Sequence, residues 1–340
     1  MKFLVELNHP KHYYQFKAIA NTLLERGHDV QIIAKDKDVL LRVLQEEGVQ
    51  YWVFGTHKKS MAGKLFGAIG IYCSYYRIMR RFQPDVVISK ASVYGVVMAK
   101  FMHKKSVIFP DSEVVALTNK VVVPKCTKVV TPNSFGLDYG EKHIRVKGFF
   151  ENCYLAPSVF VPNKSVVEQY GMQCPFAVLR FIGWSANHDV HQYGFSDEEK
   201  VRLFKELSRY MKVYVSAETE LPEVLRPHLL PTPAAKIHDV LAAAELYVGD
   251  SQTMATEAAL LATPSIRYNS FVGEHDMTNF KILESSYRLL VNCSSFEQAL
   301  SKAVSFAEHS QKHAWRENTD NYYQTVGDVN AEIVNILESL

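Results

Sequence analysis

Short apolar runs alternate along this chain with stretches in which apolar side chains recur every three or four positions. Residues 2–7 (Lys-Phe-Leu-Val-Glu-Leu) are apolar enough for a strand covered on both faces. Residues 14–26 follow, with Phe16, Ile19, Ala20, Leu23 and Leu24 at helical spacing and Gly27 as a C-cap. Strands are expected at 28–34, 51–54, 85–89, 106–110 and 128–132, the last of them closing this half. Helices are expected at 36–47 and 94–102. This rhythm predicts a parallel, doubly wound sheet. Pro157, Pro162 and the polar run 163–165 interrupt it as a linker. It then restarts with strands at 175–181 and 212–216 and a helix at 196–211, opened by Ser196 with Glu199 at the capping-box position. Residues 296–340 read as largely helical. The expected fold is α/β: two Rossmann-like doubly wound parallel-sheet domains facing a cleft. The first spans 1–150, and a linker covers 151–165. The second spans 166–309. Helices at 310–340 follow, the last packing back on the first domain.

The most informative stretch is 236–268. A strand at 245–248 ends at Gly249. Asp250 and Ser251 then offer side-chain oxygens where a helix from Gln252 to about Leu261 begins, and Thr263-Pro264 stops it before a strand at 265–268. A helix opening at the carboxyl end of a parallel strand is an anion site, through its N–H groups and its dipole. Thr253 and Glu257 share one face of that helix. A carboxylate there would repel phosphate but accept hydrogen bonds from two sugar hydroxyls. Phosphate at the tip and ribose at Glu257 would recognise a nucleotide diphosphate-sugar. An ordinary strand–helix unit with a solvated Glu is the alternative.

Other loops at predicted strand ends carry candidate chemistry. His9 and His12 lie after the first strand and would bind substrate or act as bases, unless they are plain surface histidines. Asp111 and Glu113 follow the strand at 106–110, as general bases or as helix caps. The loop 182–191 holds Gly183, Trp184, Ser185, Asn187, His188, Asp189 and His191 just after Arg180. Arg180 is expected on phosphate and His188 as a general acid. Glu274, His275 and Asp276 crowd a further polar loop. Asp36-Lys37-Asp38 has carboxylate spacing suited to a divalent ion, but at a helix start capping is the expected role. No metal and no cofactor besides the nucleotide-sugar substrate is expected. Residues 57–82 mix Lys58, Lys59, Lys64, Arg77, Arg80 and Arg81 with aromatic and aliphatic side chains. They predict a long amphipathic helix that covers the sheet and, with its basic face outward, touches an anionic membrane or a lipid-linked acceptor.

Bulk properties narrow the classes. Over 340 residues the apolar share is 47%, the charged share 22% and the net charge +2, which suits a soluble protein of two domains and argues against general nucleic-acid binding. Five cysteines, odd in number and without a CxxC, suggest reduced thiols in the cytoplasm, with peripheral contact at the inner membrane face. No leader and no membrane-crossing helix are expected. No Gly-x-Gly-x-x-Gly follows either first strand and no Walker motif occurs, so dinucleotide redox chemistry and NTP hydrolysis are not expected.

Two such halves resemble the glycosyltransferase-B (GT-B) architecture. Through His238, the Gly249-Asp250-Ser251 turn and Glu257, the second half resembles UDP-GlcNAc transferases of the peptidoglycan type and UDP-GlcNAc 2-epimerases. That resemblance implies diphosphate at Gly249, Ser251, Gln252 and Thr253, and the nucleotide ribose at Glu257. Over its length the chain resembles an uncharacterised bacterial and archaeal family, domain of unknown function 354. The carriers are Asn8-His-Pro-Lys-His12, Arg26-Gly-His28, Gly55-x-His57, Lys64, Pro84-Asp85, Asp111-x-Glu113, Gly148-x-x-Glu151, Tyr154-Leu155, and Leu179-Arg180 with Trp184, Ala186, His188 and Asp189. The first loop lacks the Gly-Gly-His of many transferases, and only a reordered Arg180, Asn187 and His188 stand where 2-epimerases carry His-Arg and Glu-Asn. The resemblance implies a metal-independent transferase that moves a sugar from a UDP-linked donor to an acceptor, in cell-surface glycan synthesis. A UDP-GlcNAc 2-epimerase-like isomerase and a non-catalytic sugar- or nucleotide-binding protein are the alternatives.

Overall fold

The structure, a computed structural model, describes residues 1–36, 40–56, 61–113, 118–184, 192–274 and 276–340. It divides into a first unit, Met1–Tyr154 with Asp328–Leu340, and a second, Leu155–Gly327.

In the first unit the elements are β1 (Lys2–Leu7), α1 (Pro10–Glu25), β2 (Asp29–Asp36), α2 (Leu40–Glu46), β3 (Tyr51–Thr56), α3 (Met61–Phe82), β4 (Val86–Ser89), α4 (Val93–Phe101), β5 (Lys105–Ile108), β6 (Lys128–Pro132), β7 (His143–Val146) and α5 (Asn152–Leu155). The seven strands are all parallel, in the order β3-β2-β1-β4-β5-β6-β7. The order reverses between β1 and β4, so the loops leaving these two strands diverge to opposite faces and open a crevice. The inward side of α3 (Ile71, Tyr75, Ile78, Met79) packs with Leu4, Ile33, Phe54 and Val87 in one buried cluster.

The second unit contains α6 (Ser165–Gln169), β8 (Phe176–Phe181), α7 (Asp197–Leu207), β9 (Lys212–Ala217), α8 (Ile237–Ala243), β10 (Leu246–Gly249), α9 (Gln252–Leu260), β11 (Ser265–Tyr268), α10 (Thr278–Ser285), β12 (Val291–Cys293), α11 (Phe296–Glu308) and α12 (Lys312–Val326). Its five parallel strands run β12-β11-β10-β8-β9 and reverse between β8 and β10. The last helix, α13 (Val329–Glu338), belongs to the first unit. Glu338 holds Arg26 Nη1 at 2.6 Å and His28 Nε2 at 2.8 Å, just past the end of α1.

Several expectations change. α1 begins at Pro10, with His9 as its N-cap, so His12 sits in a helix and not in a loop. Asp36 ends β2 instead of opening a helix, and Asp38 lies outside the described residues. The sheet of the first unit does not end at 128–132: β7 extends it. The stretch read as largely helical, 296–340, holds the three helices α11, α12 and α13.

Gly95, in the first turn of α4, is a point of close approach. A Cβ there would stand 2.5 Å from Glu6 Oε2 and 2.9 Å from Tyr75 Oη, which are themselves hydrogen-bonded at 2.9 Å in the core. In Gly95→Ala the helix gains up to ~1 kcal/mol of propensity. Overpacking a buried hydrogen-bonded pair costs roughly 1–3 kcal/mol, so net destabilisation of about 1 kcal/mol is expected. Calorimetry should show the first unit's transition lowered by roughly 2–4 °C; an unchanged transition would mean the pair yields freely.

Candidate functional site

In the second unit the crevice at the strand reversal is built by the ends of β8 and β10. The fully buried β10 brings Gly249 into register with Arg180 of β8. Gly249 must be small, since a Cβ there would stand 2.8 Å from the Arg180 carbonyl and closer still to Tyr247 Oη. Ser251 caps α9, its Oγ accepting the Met254 N–H at 3.3 Å. The first-turn N–H groups of a helix point along its axis, here beyond the sheet's carboxyl edge, with Gln252 and Thr253 half-buried around them.

Asp250 does not cap the helix. Its side chain is buried, with Oδ1 accepting the Ile182 N–H at 2.9 Å and Oδ2 the Trp184 indole N–H at 3.4 Å. Its carbonyl accepts Asn269 Nδ2 at 3.0 Å. Burial pushes the carboxyl up to about 6, against the lowering effect of these donors. Asp250 therefore braces the segment after β8, and its charge is spent on amides. Trp184 in turn lies against Phe271, ring centroids 6.1 Å apart.

Glu257 is buried one turn into α9, where solvent was the plain alternative. Its Oε1 stands 3.3 Å from Nε2 of His238 on α8, and Phe160 meets that imidazole edge-on at 5.9 Å. The fold thus joins His238 to Glu257 across a gap of nearly twenty residues. Arg180 departs from its expected role. It lies within β8, and its guanidinium donates to Ser216 Oγ at 2.7 Å and to the Glu218 carboxylate, leaving a buried Nε without a partner. A phosphate would have to displace Glu218, so Arg180 as placed ties β8 to the end of β9. Asn187 and His188 lie outside the described residues, with Ser185, Asp189, His191 and His275.

The first unit's crevice, between β1 and β4, gathers the other candidates. Nδ1 of His9 accepts the Lys11 N–H at 3.1 Å, and Nδ1 of His12 accepts the Asn8 N–H at 3.2 Å. A nitrogen that accepts an amide carries no proton, so each neutral ring bears its proton on Nε2. As seated, each ring has its Nδ1 engaged by a backbone amide. Desolvation lowers His12 to about 3, helped by Lys90 and opposed by Asp111.

Lys90, just past β4, is a site residue the sequence reading passed over. Its side chain is 3% exposed, and Nζ donates to Gln15 Oε1 at 2.9 Å, lies 3.1 Å from Asp111 Oδ2 and stands 4.3 Å from the Phe150 ring centroid. Desolvation lowers its pKa against the pull of Asp111. For Asp111, desolvation is outweighed by Lys90 and Lys11, which hold the carboxyl below the usual range; the group is half exposed, so water screens part of that attraction. Lys11 is 3.0 Å from Glu151. Glu113 turns aside, Oε1 accepting the Gly136 N–H at 2.6 Å. Beneath them Glu6 is fully buried and receives Asn8 Nδ2 at 2.8 Å and Tyr75 Oη at 2.9 Å, fixing the first loop. The result is an exposed carboxylate paired with a buried lysine at the rim of this crevice. Among the described residues no group of three His, Cys, Asp or Glu is placed to hold a metal ion.

With this geometry in place, the chain can be set beside known proteins. Residues 1–154 match the model of a family described as a protein of unknown function (DUF354). No curated protein matches. Among solved structures the chain is similar to the UDP-GlcNAc 2-epimerase of Methanocaldococcus jannaschii, with TM-score 0.71, 13% identity and all of both chains covered. It is similar to the Neisseria meningitidis UDP-GlcNAc 2-epimerase bound to UDP-GlcNAc, with TM-score 0.69, 11% identity and all of both chains covered. The spinosyn rhamnosyltransferase SpnG, complexed with spinosyn aglycone, matches with TM-score 0.65 and 13% identity over 99% of this chain and 100% of that one. The fold is that of GT-B glycosyltransferases and UDP-GlcNAc 2-epimerases.

The seating of His12 has a pH signature. Its folded pKa of about 3 lies below the ordinary 6.5, so the unfolded chain binds a proton in that window that the folded chain does not. The contribution is fully present above pH 6.5 and is lost as pH falls towards 3. His12→Gln should therefore lose less thermal stability than the parent between pH 7 and roughly pH 4. Parallel pH–melting curves for the two proteins would refute the buried, neutral seating.

Proposed function

We propose that this chain is a GT-B-type glycosyltransferase acting on a nucleotide diphosphate-sugar, with the donor held by the second unit. The observation that carries this reading is Glu257: a carboxylate buried one turn past a helix start, at the strand reversal, and partnered by His238. The first turn of α9, capped by Ser251, would take the diphosphate, and Glu257 the pentose hydroxyls. Trp184 and Phe271, held by the Asp250 brace, flank the same rim. A uridine nucleotide is the first candidate, because the Neisseria neighbour of the same fold is bound to UDP-GlcNAc.

In the first unit Asp111 is the base for an acceptor hydroxyl, and the first loop with its seated His9 and His12 lies in the same crevice. The acceptor oxygen bonds to the anomeric carbon as its proton passes to Asp111. The bond from that carbon to the diphosphate breaks, and the charge on the departing nucleotide meets the amides and dipole at the start of α9.

Calorimetric titration of the full chain with UDP and UDP-GlcNAc tests the donor assignment. Glu257→Gln should keep the fold and weaken nucleotide binding by about tenfold or more, roughly 1.4 kcal/mol. Folded protein that binds neither ligand, or a variant that binds as well as the parent, would overturn it. Exchange of solvent hydrogen into the sugar of UDP-GlcNAc without any acceptor would identify an isomerase instead.

A further inference from the structure

The helix α3 has two apolar faces, and the sheet accounts for one. Ile71, Tyr75, Ile78 and Met79 are buried against the core of the first unit. On the other side Ile69 is 61% exposed and Tyr76 41% exposed, with Cys73 and Arg80 exposed between and beyond them. Positions 69, 73, 76 and 80 fall on one stripe of a helix. Phe101, at the end of α4, is 69% exposed and meets Tyr76 edge-on at 6.4 Å, so the apolar crest continues from one helix to the next. Exposed Arg77, Arg80 and Lys100 flank it. From residue 48 to 110 the sequence holds a single acidic residue, Asp85, and its carboxylate accepts the Lys2 N–H at 2.8 Å at the start of β1.

We propose that the first unit docks on an anionic lipid surface through this face, with Ile69, Tyr76 and Phe101 entering the headgroup layer and Arg77, Arg80 and Lys100 meeting lipid phosphates. The charge selects the occupant: three cations on helices drawn from a stretch with a single carboxylate complement an anionic bilayer. Size argues in the same direction. Three protruding side chains cover far less than the roughly 800 Å² a side of a stable protein interface. They suffice to wedge into a headgroup layer, where electrostatic attraction adds to a small buried apolar area. Among the described residues no helix is long and apolar enough to cross a membrane, so the contact is peripheral. The inference is independent of the donor assignment, because it needs no nucleotide.

Vesicle co-sedimentation of the full chain, without nucleotide, tests it. Vesicles of phosphatidylglycerol with phosphatidylcholine should carry the protein down at low salt, and phosphatidylcholine alone should not. Raising salt past the point where the Debye length falls to about 3 Å should release most of it. Arg77→Glu with Arg80→Glu, and separately Ile69→Ser with Phe101→Ser, should each lower retention on the anionic vesicles at least ~10-fold while keeping the parent's circular dichroism. Failure to bind anionic vesicles, equal retention on neutral ones, or full retention by both variants would overturn the proposal. So would concentration-dependent self-association abolished by the Ile69/Phe101 variant in place of lipid binding.

Discussion

Parallel pairing of β8 with β10 is the constraint from which the second unit's chemistry descends. Because the two strands run the same way, both chains leave at one rim, and because the strand order reverses there, they leave towards opposite faces. The backbone must turn within Gly249 and Asp250, hard against the Arg180 carbonyl. A glycine is required at the first position and a side chain able to collect stray amides at the second. Asp250 does this by satisfying Ile182 and Trp184 while Asn269 holds its carbonyl. The start of α9 is therefore rigid on the protein side. Its amides would meet a ligand as preformed donors and not as a mobile loop.

The two units meet the cost of buried charge differently. In the second, Asp250 is surrounded by neutral donors and its carboxyl rises to about 6. In the first, Asp111 faces Lys90 and Lys11 and its carboxyl is held down, while the buried ammonium of Lys90 is lowered in spite of its partner. One carboxylate is thus a brace whose pKa is raised by burial, and the other a group at the surface of a crevice whose pKa is held down by its cations. That separation of roles follows from the partners each strand end brings and not from residue type.

Much of this was legible in the chain. Strands buried on both faces announce themselves as apolar runs, which is why β1, β4, β6, β8 and β10 stood out. The strands β7 and β12 did not, because they are only four and three residues long and His143, Arg145 and Asn292 break the apolar run. The start of α1 was missed because histidine is outside the usual capping set, although Pro10 at the first helical position was the available signal. Glu257 could be found from its four-residue spacing to Thr253. Lys90 could not: a lone lysine after an apolar strand gains meaning only once β4 is known to pair with β1. Asp250 looked like a cap because caps are local, whereas its partners at 182, 184 and 269 come from distant segments.

The histidine tautomers shift the weight of the proposed mechanism. With Nδ1 of His9 and of His12 engaged by backbone amides, neither ring is set to take a proton through Nε2. What remains is Asp111, an acid held below its usual range and therefore a weak base. By the Brønsted relation a weak base contributes little until the acceptor hydroxyl has already become acidic. Such a site favours a late proton transfer, after the bond from sugar to diphosphate has largely opened. In the proposed reaction the barrier would then fall mainly on stabilising the departing diphosphate, the part assigned to the amides at the start of α9.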